Sequence, residues 1–217
     1  MLLMTCRFSR FRQEPAAHFL PLLLIGNNGS SSFVTRRDLP TSLVATVLAC
    51  GLEAGGQTLE QATEHLGRSF REAAKISHDL GLIPAFEIEP VFIFNTEEHL
   101  RRILEEANHP ALKTIYDPSH FDLMNGSTGR PYEMLRRIGV ENTGYVHFTD
   151  TDGTRRDEGT SKHLLCGDGH IDVQVSLATL WQGGFRGWMN IDAWQIPDPY
   201  DACLKGKQAI DSFLGSL

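Results

Sequence analysis

The stretch LIPAFE, from Leu82 to Glu87, is an apolar run of strand length that stops on a carboxylate. Three more runs share the form: LKTIYD from Leu112 to Asp117, GYVH from Gly144 to His147, and GWMNID from Gly187 to Asp192. Short apolar runs bounded by polar or turn residues read as buried strands. Helix-like segments lie between them, and strands that alternate with helices build a parallel sheet whose C-terminal ends gather on one face. Glu87, Asp117, His147 and Asp192, distant in sequence, are therefore expected to meet. Oxygen and nitrogen donors without a thiolate suit Mg²⁺, Mn²⁺, Co²⁺ or Zn²⁺.

Working outward, Leu43 to Ala49 (LVATVLA) adds another strand-like run. Thr58 and Gln61 have the spacing of a capping box, and Leu59, Ala62, Leu66, Phe70, Ala73, Ile76 and Leu80 recur at helical intervals, so a helix is predicted from Thr58 until Gly81 stops it. A second helix is predicted from about Asn95, burying Leu100, Ile103, Leu104 and Ala107. Pro131 suits the first turn of a third, with Met134, Leu135 and Ile138 on one side. Val173 to Trp181 makes a fourth, closed by Gly183 and Gly184, and Pro199 to Leu214 a fifth. These give five βα units, whereas a complete eight-stranded barrel has eight and typically about 250 residues. The expected fold is α/β, a TIM-barrel-like arrangement over residues 40–217 that is incomplete at its N-terminus. Either the leader adds strands that the pattern hides, or the first units are gone. An open wedge exposes strand edges and apolar interior, which favours a homo-oligomer.

Composition narrows the classes. The 217 residues suffice for one sizeable core, and the net charge of −7 speaks against nucleic acid as partner. Beyond residue 40 the chain carries 15 Lys/Arg against 25 Asp/Glu. Cys6, Cys50, Cys166 and Cys203 form no CxxC pair, as in a reducing, cytoplasmic compartment. In residues 1–39, Arg7, Arg10 and Arg12 precede Phe19 to Ile25, a run too short to cross a membrane. Pro21 and the GNNGSSS that follows read against a cleaved signal. A leader of low order is expected as far as about Asp38.

Five segments in this order resemble a known family: FEIEP (Phe86 to Pro90), DPSH (Asp117 to His120), YVHFTD (Tyr145 to Asp150), GDGHID (Gly167 to Asp172) and NIDAW (Asn190 to Trp194). They look like the sugar phosphate isomerase/epimerase family of the xylose-isomerase-like barrel superfamily. The resemblance implies that Glu87, Asp117, His147 and Asp192 take the places of four ligands to one divalent metal ion, and that His120 touches substrate. It further implies proton transfer beside the carbonyl of a sugar or sugar phosphate, with Glu87 and Asp192 as acid and base. Asp192 departs from the usual Glu and is shorter by one methylene, about 1.5 Å of reach. His163 falls where some members bind substrate and the nuclease-like members bind metal. Arg156, with Arg155, offers charge to a phosphate or carboxylate, and Trp194 is placed to wall a sugar. Glu89 and Asp150 are candidates for orienting the ligands. GDGH reads as a tight turn rather than a phosphate cradle, because Asp168 would repel phosphate. Two other readings stand beside this one: an inactive truncated barrel that binds a metabolite or partner, and an abasic-site nuclease, which Ser161 and the acidic body count against.

Overall fold

A computed structural model describes Met4–Arg7, Ala45–Ala49, residues 56–157 and residues 159–217. Strands β2 (Ala45–Ala49), β3 (Ile83–Glu87), β4 (Lys113–Tyr116), β5 (Thr143–Phe148) and β6 (Trp188–Ile191) lie side by side in chain order and run parallel. Helices α1 (Leu59–Asp79), α2 (Glu97–Ala107), α3 (Pro118–Met124), α4 (Pro131–Ile138), α5 (Val173–Gln182) and α6 (Pro199–Gly215) fill the connections. Five βα units following one another around a sheet make an arc of a (β/α) barrel. The leader read for residues 1–39 lies outside the described residues except for β1 (Met4–Arg7), which pairs antiparallel with β6. Among the described residues no helix is long and apolar enough to cross a membrane.

The predicted helices form where their signals lie. Thr58 accepts from the Gln61 N–H while the Gln61 side chain accepts from the Thr58 N–H, so the capping box is closed on both sides. Thr96, one residue after the expected Asn95, caps α2. The inward face of α1 differs from the expected stripe: Thr63, Gly67, Phe70, Ala74 and Ser77 are buried, and Leu59 and Ile76 are exposed. The reason is close packing on α2. A Cβ on Gly67 would stand 2.4 Å from the Cβ of Glu106, and Arg71 reaches over to donate to the Glu106 and Ala107 carbonyls at the end of α2. The seven-residue α3 has no counterpart in the sequence reading.

Strand alternation sorts the residues into two layers. Phe86, Tyr116, Val146, Phe148, Met189 and Ile191 point outward into the main core beneath the helices. Ala85, Ile115 and Tyr145, with Trp188 against them, form a small apolar layer inside the arc. One pleat further along the same inward face come Glu87, Asp117, His147 and Asn190. The site therefore stands on a packed floor.

Candidate metal and substrate site

Register sets the members of the site at nearly one level. Ile115 pairs with Tyr145 and Tyr116 with Val146, which brings Asp117 beside His147, and His147 pairs with Asn190. Glu87, Asp117 and His147 offer donor atoms within 4.8 Å of one another. A second group with the same property is Asp117, His120 and His163, so Asp117 belongs to both. Asp192 stands outside these groups because it lies one inward position beyond Asn190, where the shorter carboxylate has further to reach.

Asp117 does two jobs with two oxygens. Its Oδ1 caps α3, accepting from the Ser119 N–H at 2.8 Å, the Ser119 hydroxyl at 2.6 Å and the His120 N–H at 3.2 Å. Its Oδ2 is buried without a hydrogen-bond partner. It lies 3.8 Å from His120 Nε2 and 3.9 Å from His163 Nε2. Burial by itself would raise the pKa of Asp117. The facing His120, His163 and His147 outweigh it and hold the carboxyl below the usual range.

Both histidines that the sequence left open lie in the site. His120 is 4% exposed and His163 3%. His120 Nε2 also faces Glu87 Oε1 at 3.8 Å and Glu89 Oε2 at 4.0 Å. Burial works to lower the His120 pKa, and Asp117, Glu87 and Glu89 together raise it above the ordinary value. His163 has no hydrogen-bond partner at either ring nitrogen, and its Nδ1 is 3.7 Å from Asp192 Oδ2. A buried polar atom left unpaired costs about 1–3 kcal/mol. Asp117 Oδ2 and the two ring nitrogens of His163 thus fit a cation or the polar groups of a ligand, and the donor set of carboxylate and imidazole suits a divalent ion.

Around this centre, His147 Nδ1 bonds Glu87 Oε1 at 2.8 Å. Glu89 accepts from the Thr160 hydroxyl at 2.8 Å, and burial raises its pKa. Asp192 Oδ1 accepts from the Trp194 N–H at 2.9 Å, and the Trp194 ring, 39% exposed, stands edge-on to His163 at 6.2 Å. The Arg156 guanidinium donates to the Gln195 carbonyl at 3.0 Å, while its buried Nε has no partner. Arg155 donates to the Pro90 carbonyl at 3.3 Å. The two arginines therefore tie the loop after β5 to the loops after β6 and β3.

The Asp150 carboxylate is turned to the loop that follows β5. It accepts from the backbone N–H groups of Thr151, Gly167, Gly169 and Ile171 at 2.8 to 3.2 Å. The GDGH turn does wrap an anion, and that anion is the protein's own. A Cβ on Gly169 would come within 2.2 Å of Asp150 Oδ1. Reciprocal backbone hydrogen bonds between Asp150 and Leu164 then fix the hairpin that delivers His163. Asn190, which does not end an apolar run and so carries no strand-end signal, is buried with an unpartnered Oδ1. Counting inward positions back from Asp192 would have found it.

The chain belongs to the xylose isomerase-like TIM barrel family, whose model matches residues 37–210. It is 26% identical over 169 residues to an inosose dehydratase of Geobacillus kaustophilus, across 71% of this chain and 54% of that protein. The chain spans about half the length of the curated relatives it matches. Among solved structures, a D-tagatose 3-epimerase-like protein superposes with a TM-score of 0.62 at 22% identity, over 80% of this chain and 62% of its own. An IolI protein with a zinc atom bound gives 0.58 at 20% identity, over 80% of this chain and 63% of its own. At these identities the superpositions show the shared fold.

Proposed function

We propose that the chain acts as a metal-dependent isomerase or epimerase on a sugar or sugar phosphate, moving a proton on the carbon next to a carbonyl. The observation that supports this best is the divided Asp117 carboxylate, with one oxygen spent on the scaffold and the other buried, bare and faced by two imidazoles. Glu87, Asp117 and His147 would hold the ion, with Asp192 as the outlying fourth member. A divalent ion there supplies Lewis-acid stabilisation of the negative charge that develops on the substrate oxygens. Asp192, anchored through Oδ1 by the Trp194 N–H, keeps Oδ2 for taking or returning a proton. Glu87 serves as the second carboxylate of the exchange. His120 and His163 would orient hydroxyl groups, Trp194 would cover an apolar sugar face, and Arg156 would meet a phosphate where one is present. Dehydrating an inosose and inverting a ketose carbon both begin with loss of a proton beside a carbonyl, so the names of the relatives share this first step.

The test is proton exchange. Metal-loaded protein is incubated in D₂O with a panel of ketoses, ketose phosphates and an inosose, and deuterium beside the carbonyl is followed by NMR. Enrichment that disappears in Asp192→Asn is expected. A well-folded protein that retains no divalent metal and exchanges no substrate proton would overturn the reading.

A further inference from the structure

A chain of buried hydroxyls links the two sides of the site. Ser119 Oγ bonds Asp117 Oδ1 at 2.6 Å, Ser119 Oγ and Ser161 Oγ are 2.7 Å apart, and Ser161 Oγ is 2.6 Å from His120 Nδ1. Ser119 and Ser161 are fully buried and His120 nearly so.

Counting hydrogens gives this chain one direction. Two backbone N–H groups, those of Ser119 and His120, already point at Asp117 Oδ1, which is therefore an acceptor. The Ser119 hydroxyl must donate to it, and a hydroxyl has a single hydrogen. Towards Ser161, then, Ser119 can only accept. Ser161 donates its own hydrogen to Ser119 and can only accept from the imidazole, so the hydrogen between them sits on His120 Nδ1.

We propose that Ser119 and Ser161 are positioning residues: the relay His120 Nδ1–H to Ser161 to Ser119 to Asp117 Oδ1 fixes the ring's orientation and protonation pattern, and assigns His120 Nε2 and Asp117 Oδ2 to whatever binds in the site. Nε2 stands 3.8 Å from that bare oxygen, so the two atoms left over by the relay face the same space. A ring nitrogen held by a partner on its far side is how an imidazole is aimed at a metal or substrate. Ser161 comes from the hairpin after β5 and Ser119 from the start of α3, so the relay also couples two separately folded loops. The assignment holds whichever reaction the site performs.

The experiment uses the full chain labelled with ¹⁵N-histidine and reads imidazole ¹⁵N–¹H correlations. Neutral His120 with hydrogen on Nδ1 and the imidazolium form both carry the predicted proton, so the readout does not depend on ring charge. Wild type is expected to show a His120 Nδ1–H protected from solvent exchange. Ser161→Ala should speed that exchange by about tenfold or more, the loss of one buried hydrogen bond. Ser119→Ala releases the Ser161 hydrogen to turn towards the ring, and should populate the form with hydrogen on Nε2. The His170 ring, bonded through Nε2 to the buried Asp122 at 2.7 Å, reports on whether the loop after β5 stays docked on α3 and should not change. A wild-type His120 with bare Nδ1 and hydrogen on Nε2 overturns the proposal, and that spectrum needs no variant to fold. An Nδ1–H whose exchange in both serine variants equals that of wild type, with the His170 signal intact, overturns it as well.

Discussion

His147 Nδ1 and Glu87 Oε1 stand 2.8 Å apart, so two of the proposed ligands share a proton where a metal would separate them. Burial by itself would lower the His147 pKa, and the charge and hydrogen bond of Glu87 outweigh it, carrying it up to about 10. Only the deprotonated imidazole binds metal. Apparent Zn²⁺ affinity should therefore rise with pH, by about tenfold per unit for one displaced proton, until His147 is neutral. The metal-free stability runs the other way. A His147 pKa raised from the ordinary 6.5 gives a stabilisation complete below 6.5 and lost as pH rises through about 10. Calorimetric titrations and thermal melts in chelator over this range check both slopes, and a pH-independent Zn²⁺ affinity would remove His147 from the ligand set.

Asp192 lies one inward position beyond Asn190, which itself pairs with His147. Its backbone N–H donates to the Phe148 carbonyl at 3.0 Å, so the strand cannot slide to bring it nearer. Asp192→Glu adds the missing methylene, about 1.5 Å of reach. Metal affinity is expected to rise by about tenfold, equivalent to about 1.4 kcal/mol. Competition against a calibrated chelator measures it. Weaker binding in the variant would mean that Asp192 works through its link to Trp194 instead of moving toward the ion.

Glu87, Asp117 and His147 were legible because each closes an apolar run, and a parallel sheet collects strand ends by construction. Other features depend on pairings that no local pattern carries. His163 arrives on a hairpin held by Asp150, more than ten residues upstream, so its place is set by long-range hydrogen bonds. Helix α3 is too short to show a period, and its start is marked by Asp117, the residue that also read as a ligand. The cap is what the structure shows, and it leaves the ligand reading open because a carboxylate has two oxygens. The face of α1 was displaced because Gly67, which contributes nothing to an apolar stripe, is what lets α2 approach.

Asn190 separates stability from binding. Its Oδ1 is buried without a partner, and such an atom is a liability to the folded state. Asn190→Val should leave the melting temperature unchanged or raise it, because an apolar group replaces an unsatisfied one. It should also raise KM for whichever substrate the exchange screen identifies by about tenfold, the loss of about one hydrogen bond. Thermal melts and steady-state kinetics on the same preparation test the pair of effects. A destabilised variant with unchanged KM would make Asn190 part of the scaffold.

Asp150 shows how a residue that holds a loop together governs the site that loop reaches. Four backbone N–H groups converge on its carboxylate, and Asn in its place presents an amide NH₂ to some of those donors. Asp150→Asn is expected to cost about 2–3 kcal/mol, from buried donors left facing a donor. For a chain of this size that lowers the melting temperature by roughly 4–12 °C. The loss should concentrate in the hairpin that carries His163, because the Leu164 backbone pairs with Asp150 itself. Amide exchange should accelerate across residues 161–171 while β3 and β4 keep their protection. Uniform acceleration over the whole sheet would show instead that Asp150 supports the barrel arc and not this loop.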